Sequence, residues 1–172
     1  MQRNNLNQNS QQPKVAIVMG SDSDYEIMKE AELVLKEFGV EFQTSIVSAH
    51  RTPERMFEFA KSAFDNGFKV IIAGAGGSAH LPGMIAALTV IPVIGVPIKS
   101  KNLKGLDSLY SIVQMPPGIP VATMAINGSK NAALMAVQVL AINDQNLLEK
   151  IKVYRDSLKN TVLEKSSDLF SR

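Results

Sequence analysis

At 172 residues, 45% of them hydrophobic, the chain has the length and apolar content of one ordinary globular domain. Lys plus Arg number 18 against 16 Asp plus Glu, a formal net charge of +2, so there is no general polyanion-binding field, and no basic run forms a nucleic-acid arm. There is no cysteine, which excludes disulfides, thiolate metal sites and Cys nucleophiles and fits a reducing, cytoplasmic setting.

Residues 1–13 are mostly Asn, Gln and Ser; they lack the apolar stretch of a signal peptide and read as a disordered tail. A single α/β domain is expected over 14–163, with a short C-terminal tail over 164–172. The first strand is predicted at Lys14–Met19, followed by the loop Gly20-Ser21-Asp22-Ser23-Asp24. Ile27, Met28, Ala31, Val34, Leu35 and Phe38 then recur at three- and four-residue steps, the stripe of an amphipathic helix, and Gly39 stops it. A second strand is predicted at Glu41–Val47. In the helix after it, Thr52 stands at the N-cap and Pro53 at the first helical position; Met56, Phe57, Ala60, Ala63 and Phe64 form its stripe, and Gly67 ends it.

Lys69–Ala73 reads as the third strand, with a third helix starting near Leu81-Pro82. Strands four and five are predicted at Pro92–Val96 and Val121–Ile126, with a shorter helix at about Leu106–Val113 between them. Asn131–Ile142 is an Ala-rich helix suited to close packing against another helix or subunit. Gln145 to about Leu163 is one more, with Leu147, Leu148, Ile151, Tyr154, Leu158 and Val162 on its apolar face. No apolar run reaches the roughly 18 residues of a membrane span; Pro92 and Gly95 interrupt the segment from Gly83 to Pro97.

Most of these strands are continuously apolar, and helices fall between them, which implies a parallel sheet covered on both faces. The fold class is therefore α/β: a three-layer, flavodoxin-like, doubly wound parallel sheet of order 2-1-3-4-5 with an extra C-terminal helix. Right-handed crossovers bring all strand C-terminal ends to one edge, where such sheets bind ligands. The unusual residues fall at that edge. Of only two histidines, His50 follows strand two and His80 follows strand three; Gly20–Asp24 follows strand one. Taken singly, each has an ordinary explanation: a capped turn, a loop histidine, a surface charge at Arg51, glycines at 74, 76 and 77 shaping a tight loop. Their convergence on one edge favours a functional site. Gly74-Ala75-Gly76-Gly77-Ser78-Ala79 lacks the last glycine of GxGxxG, and GxxxxGK[ST], HExxH and GxSxG are missing, which disfavours dinucleotide oxidoreduction, ATP hydrolysis and hydrolase chemistry.

Four stretches carry a resemblance: Gly20-Ser21-Asp22-Ser23-Asp24; Ser48-Ala49-His50-Arg51-Thr52-Pro53; Ala73-Gly74-Ala75-Gly76-Gly77 running into Ala79-His80-Leu81-Pro82-Gly83; and Asp107-Ser108-Leu109-Tyr110-Ser111 continuing to Met115-Pro116. In this order and spacing, over about residues 14 to 160, the chain resembles the catalytic subunit of phosphoribosylaminoimidazole carboxylase. Within that family it resembles the bacterial class I type, the N5-carboxyaminoimidazole ribonucleotide mutases of purine (IMP) biosynthesis. Arg rather than Lys after His50, and the His80-Leu81-Pro82-Gly83 stretch, are mutase-like features. Asn127-Gly128-Ser129-Lys130 is shorter than the Gly/Ala-rich segment often found there in the family.

The resemblance implies an isomerase that moves a carboxyl group from an exocyclic nitrogen to a ring carbon through trapped carbon dioxide, without metal or cofactor. His50 is then the proton carrier, a role suited to an unperturbed imidazole pKa of about 6.5, and the Gly74–Gly77 loop walls in the carbon dioxide. Arg51 is assigned to the substrate phosphate with Ser23 and Ser48, Asp24 to the ribose hydroxyls, and Ser21 to the carboxylate side. Ala49, Ala73, Gly74, Gly76, Gly77, His80 and Leu81 complete the expected substrate contacts. The implied partners are a small ribonucleotide, seven further copies in a homo-octamer, and a functional link to the ATP-dependent carboxyaminoimidazole ribonucleotide synthase; no nucleic acid or membrane is expected. Two other readings stay open: a carboxylase of the same fold that takes carbon dioxide directly, and a non-catalytic flavodoxin-like module binding FMN or another mononucleotide.

Overall fold

The computed structural model describes residues 14–170; the tail expected over 1–13 lies outside the described residues. In chain order the elements are β1 (Val15–Met19), α1 (Tyr25–Phe38), β2 (Phe42–Ile46), α2 (Pro53–Ser62), β3 (Val70–Gly76), α3 (Leu81–Ala86), β4 (Val93–Ile98), α4 (Leu106–Val113), β5 (Ala122–Thr123), α5 (Ser129–Ala141) and α6 (Gln145–Phe170). A 3₁₀ turn at Asp22–Asp24 leads into α1. All strands are parallel, in the order β2-β1-β3-β4-β5, which is the predicted doubly wound sheet with its extra C-terminal helix.

Alternation along each strand sends successive side chains to opposite faces and so builds two cores. Val15, Ile17, Met19, Ile72, Ile94 and Val96 face α1, α5 and the start of α6. Ala16, Val18, Ile71, Ala73 and Val93 face α2, α3 and α4. Ile17, Met19, Met28, Leu35, Ile72 and Ile94 are at most 1% exposed, and each such side chain contributes roughly 1.5–3 kcal/mol on burial. The Ala-rich helix packs on α1: Ala31, Ala132, Ala133 and Ala136 are all fully buried in the same core. Gly39 ends α1 in the left-handed conformation, φ 70°, with its N–H turned back to the last-turn carbonyls, as predicted.

Several boundaries depart from the sequence reading. β3 continues past Ala73 to Gly76 and β4 past Val96 to Ile98, because the two strands stay paired up to Gly76 and Ile98. β5 is only Ala122–Thr123, short of the predicted Val121–Ile126. α2 ends at Ser62, and Phe57 and Phe64 are exposed (43% and 57%). The buried stripe is the narrower Met56, Ala60, Ala63, and the two phenylalanines lie one residue, about 100°, further round. α6 runs on beyond Leu163 through the expected C-terminal tail to Phe170. On it Leu147 and Ile151 are buried and Tyr154 packs edge-on to Phe38, whereas Leu158 and Val162 are exposed. No helix of the described residues is long and apolar enough to cross a membrane.

Candidate active site

The C-terminal ends of β1, β2, β3 and β4 surround a cavity of about 320 Å³, the size of a small-ligand site. Its floor comes from the loop after β1 and its walls from the loops after β2, β3 and β4. Of the residues singled out in the sequence, Ser21, Ser23, Asp24, Ser48, Ala49, His50, Arg51, Gly76, Gly77, His80 and Leu81 all line it.

The turn that presents His50 is closed by reciprocal bonds. Thr52 Oγ1 donates to the Ser48 carbonyl (3.1 Å) and accepts from the Ser48 N–H (3.3 Å), while Ser48 Oγ accepts the Arg51 N–H (3.2 Å). The Thr52 side chain therefore fastens the turn and makes no capping bond to α2. Pro53 opens the helix as predicted. His50 Nε2 stands 2.8 Å from His80 Nδ1, the rings 5.0 Å apart and nearly perpendicular at 85°. The two histidines thus form one hydrogen-bonded unit at the mouth of the cavity.

Arg51 is braced by its own loop and by the loop after β1. Nη2 donates to the Gly20 carbonyl at 2.9 Å and Nε to Ser48 Oγ at 3.4 Å, leaving Nη1 uncommitted. A guanidinium held this way presents a pre-aimed donor edge to an oxyanion. Ser21 Oγ donates to Asp22 Oδ1 (2.9 Å); that bond and the Ser23 N–H hold the Asp22 carboxyl below its ordinary range. Burial pushes the half-buried Asp24 carboxyl up, against the opposing pull of its hydrogen bonds with Ser21 and Ser23 and of the Arg51 charge. A carboxyl there suits neutral hydroxyls better than an anion, because like charges repel.

Two expected contacts are not in the cavity. Ala73 is fully buried opposite Val18 and Gly95, and Gly74 pairs with Met19 and Val96. A Cβ at Gly74 would overlap Met28 Sδ. The cause is the longer β3, which keeps both residues inside the sheet and gives the wall to Ala75, Gly76, Gly77 and Ser78. Gly77 has φ +66°, and a Cβ there would meet no atom within 4 Å; glycine is required by the backbone angle, not by crowding.

Ile98, Lys99 and Ser100 also line the cavity and were missed. The rule that ligands sit outside strand C-termini pointed to them, but the predicted end of β4 at Val96 placed them in an unassigned loop. Lys99 is exposed, its ammonium makes no ion pair among the described residues, and it adds a second cation to that of Arg51. No group of three or more His, Asp or Glu able to hold a metal ion occurs among the described residues.

A family model described as AIR carboxylase matches residues 14–161. The chain is 57% identical over 157 residues to an N5-carboxyaminoimidazole ribonucleotide mutase of Thermotoga maritima, covering 91% of this chain and 92% of that one. It is 63% identical over 147 residues to the protein of the same name from Pyrococcus abyssi, covering 86% and 84%. Among solved structures, Treponema denticola PurE superposes with a TM-score of 0.83 at 33% identity, over 92% of this chain and 99% of that one.

Proposed function

The chain belongs to the AIR carboxylase family, and from that premise we propose that it is an N5-carboxyaminoimidazole ribonucleotide mutase, reversibly forming 4-carboxy-5-aminoimidazole ribonucleotide in purine biosynthesis. The observation that carries this is the close identity, over about nine-tenths of both chains, to proteins of that name. The polar cavity around His50 is the natural place for the chemistry.

In the proposed reaction, His50 gives a proton to the carbamate nitrogen. The N–C bond breaks, carbon dioxide leaves, and the electron pair stays on nitrogen as the free amine. The aminoimidazole is an enamine; its ring carbon attacks the carbon dioxide and forms the new C–C bond. The tetrahedral ring carbon then returns its proton to His50 and aromaticity is restored. A positioned acid–base group of this kind contributes about 10²–10⁴-fold. Confining the carbon dioxide beside the ring replaces a bimolecular encounter by a far faster internal one. No cofactor is needed.

Arg51, with Ser48 and Ser23, binds the phosphate in this reading. Asp24 accepts from the ribose hydroxyls, and Ser21 contacts the carboxylate side once it turns from Asp22. His80 relays or steadies the His50 proton. We further read the protein as cytoplasmic, in keeping with a chain free of cysteine. We read it as a homo-octamer whose pockets a neighbouring copy completes, linked in function to the ATP-dependent synthase that makes its labile substrate.

The test is to supply each starting compound to the purified protein. Conversion of the N-carboxylated nucleotide to the C-carboxylated one without added bicarbonate is the expected result. Product only from the uncarboxylated nucleotide, in proportion to bicarbonate, would sink the mutase reading in favour of direct carboxylation. A yellow protein as purified would point instead to a flavin-binding module.

A further inference from the structure

Ser108, on α4, lies behind the cavity rather than in it. It is fully buried and uses its hydroxyl in both directions: Oγ donates to the Ile98 carbonyl at 2.6 Å and accepts the Gly77 N–H at 2.8 Å. These two partners are the points where the sheet ends. The β3–β4 ladder closes with Gly76 opposite Ile98, and Gly77 is the first residue past it, turned into the left-handed region. Ser108 therefore continues the ladder by one side-chain bridge and fixes where the wall of the cavity bends.

The rest of the first turns of α4 acts on the same two walls. Ser111 Oγ sits 2.7 Å from the Asp107 carbonyl and 3.4 Å from the Gly77 carbonyl. Asp107 Oδ1 accepts from Ser100 Oγ at 2.6 Å, and Ser100 Oγ accepts the Gly105 N–H at 3.2 Å. One face of α4 thus grips the Gly76–Gly77 wall on one side and the Ile98–Ser100 wall on the other. One consequence concerns the wall itself: the Gly77 N–H is committed to Ser108 and is not offered to a ligand.

We propose that Ser108 is a positioning residue of the carboxyl transfer, holding the Gly76–Gly77 wall close enough to keep released carbon dioxide beside the ring. The inference rests on the mutase reading above. Replacing the hydroxyl frees Gly77 from Ile98, lets the wall move outward and gives the gas a way out. The expected defect is leakage rather than loss of substrate affinity.

The experiment runs the reaction backwards from the stable C-carboxylated nucleotide in ¹³C-bicarbonate. Proton gain at the ring carbon and cleavage of its C–C bond yield carbon dioxide and aminoimidazole ribonucleotide; any carbon dioxide that escapes is replaced by label, read by mass spectrometry of the recovered nucleotide. The parent protein should interconvert the two isomers with little label uptake. Ser108→Ala should raise uptake per turnover by about tenfold, since small displacements strongly degrade a held encounter, with lower kcat and nearly unchanged KM. Ser108→Cys fills the site with a slightly bulkier thiol that hydrogen-bonds weakly; it supplies a variant that leaves no cavity, with uptake between the other two. Uptake at the parental level in Ser108→Cys and in any folded Ser108→Ala overturns the proposal, as does a fall in kcat without added uptake. Failure of the parent itself to interconvert the isomers would instead overturn the mutase reading, and is seen before any variant is made.

Discussion

His50 and His80 share a proton site: Nε2 of the first lies 2.8 Å from Nδ1 of the second. Only one of the two nitrogens can carry the hydrogen, so the tautomers are correlated. When His50 holds its proton at Nε2, His80 must offer a bare Nδ1; when His80 donates from Nδ1, His50 accepts at Nε2 and, as a neutral ring, carries its own proton at Nδ1. The arrangement lets His80 select the state in which His50 meets the substrate. Replacing His50 with Asn should lower kcat by about 10²–10⁴-fold, while calorimetric affinity for the C-carboxylated nucleotide stays within a few-fold of the parent. His80→Asn should cost less. The double variant should be no worse than His50→Asn alone, because residues acting as a unit are non-additive. Turnover close to the parent in His50→Asn would remove it from the chemistry.

Arg51 reaches across from the loop after β2 to the Gly20 carbonyl at the end of β1, so its charge is held before any ligand arrives. A charge-assisted hydrogen bond contributes about 1.5–3 kcal/mol, and Arg51→Ala should raise KM by about 10- to 100-fold with a smaller change in kcat. Arg51→Lys restores charge but not the fork and should recover only part of the loss. A defect confined to kcat would contradict the phosphate assignment.

The sheet was legible because most of its strands are apolar runs, β2 with its Gln43, Thr44 and Ser45 being the exception, and because they alternate with helices. The clearest helix signal is α1, a clean stripe ended by Gly39 with φ 70°. The site was legible because chemistry-bearing residues are scarce: both histidines and the Ser/Asp loop fell at one edge of the predicted sheet. What stayed hidden depends on pairing rather than on local pattern. Nothing in Ala73-Gly74-Ala75-Gly76 marks which residue leaves the ladder; the partner strand decides it, and Gly76 opposite Ile98 is the last pair. Ala73 and Gly74 were misplaced for that reason, and Lys99 and Ser100 overlooked. Ser108 was noticed only as part of a matching stretch, since a buried serine's role is set by its partners, here Gly77, 31 residues away, and Ile98, 10 residues away.

Gly74 and Gly77 should respond differently to the same change. A Cβ at Gly74 meets the fully buried Met28 and lies 3.1 Å from Ile98 Cδ1; overpacking of this kind costs about 1–3 kcal/mol. Gly74→Ala should therefore lower Tm by several degrees, with the kcat of the folded enzyme little changed. Gly77→Ala has open space but a left-handed backbone, worth about 1–2 kcal/mol of strain, and it alters the cavity wall; kcat should fall along with Tm. Equal losses of activity in both variants would contradict the placement of Gly74 outside the cavity.

Asp24 carries a stability signature with a definite sign. Burial raises its carboxyl above the ordinary value, so the folded state disfavours the ionised form. A carboxyl raised on folding favours the folded state fully below its unfolded pKa, and that contribution is lost as pH rises through the folded value. At neutral pH the ionised side chain is therefore a burden, and Asp24→Asn should melt above the parent. The gap should close as the pH is lowered through the range where Asp24 becomes protonated. Affinity for the ribonucleotide should fall in the same variant if Asp24 accepts from the ribose. A melting difference that grows on acidification would reverse the assignment.

The apolar stripe of α6 outlasts the domain it packs on. Leu147 and Ile151 are buried, but the same face continues through Leu158, Val162 and Leu169, which are 51%, 66% and 70% exposed. Leu158 follows Ile151 by two helical turns, and Val162 follows Leu158 by four residues, so all three share one side. A stripe kept apolar beyond its own core needs another surface, and in the octamer proposed above a neighbouring copy supplies it. Leu158→Glu combined with Val162→Glu should leave the secondary structure intact and reduce the mass found by light scattering from the octamer to a smaller species. The pocket would then lose whatever the neighbour contributes, and kcat should fall even though both substitutions lie far along the chain from His50. An unchanged mass in the double variant would show that the assembly is held through other faces, such as the exposed Leu106 and Tyr110 on α4 and Leu103 just before it.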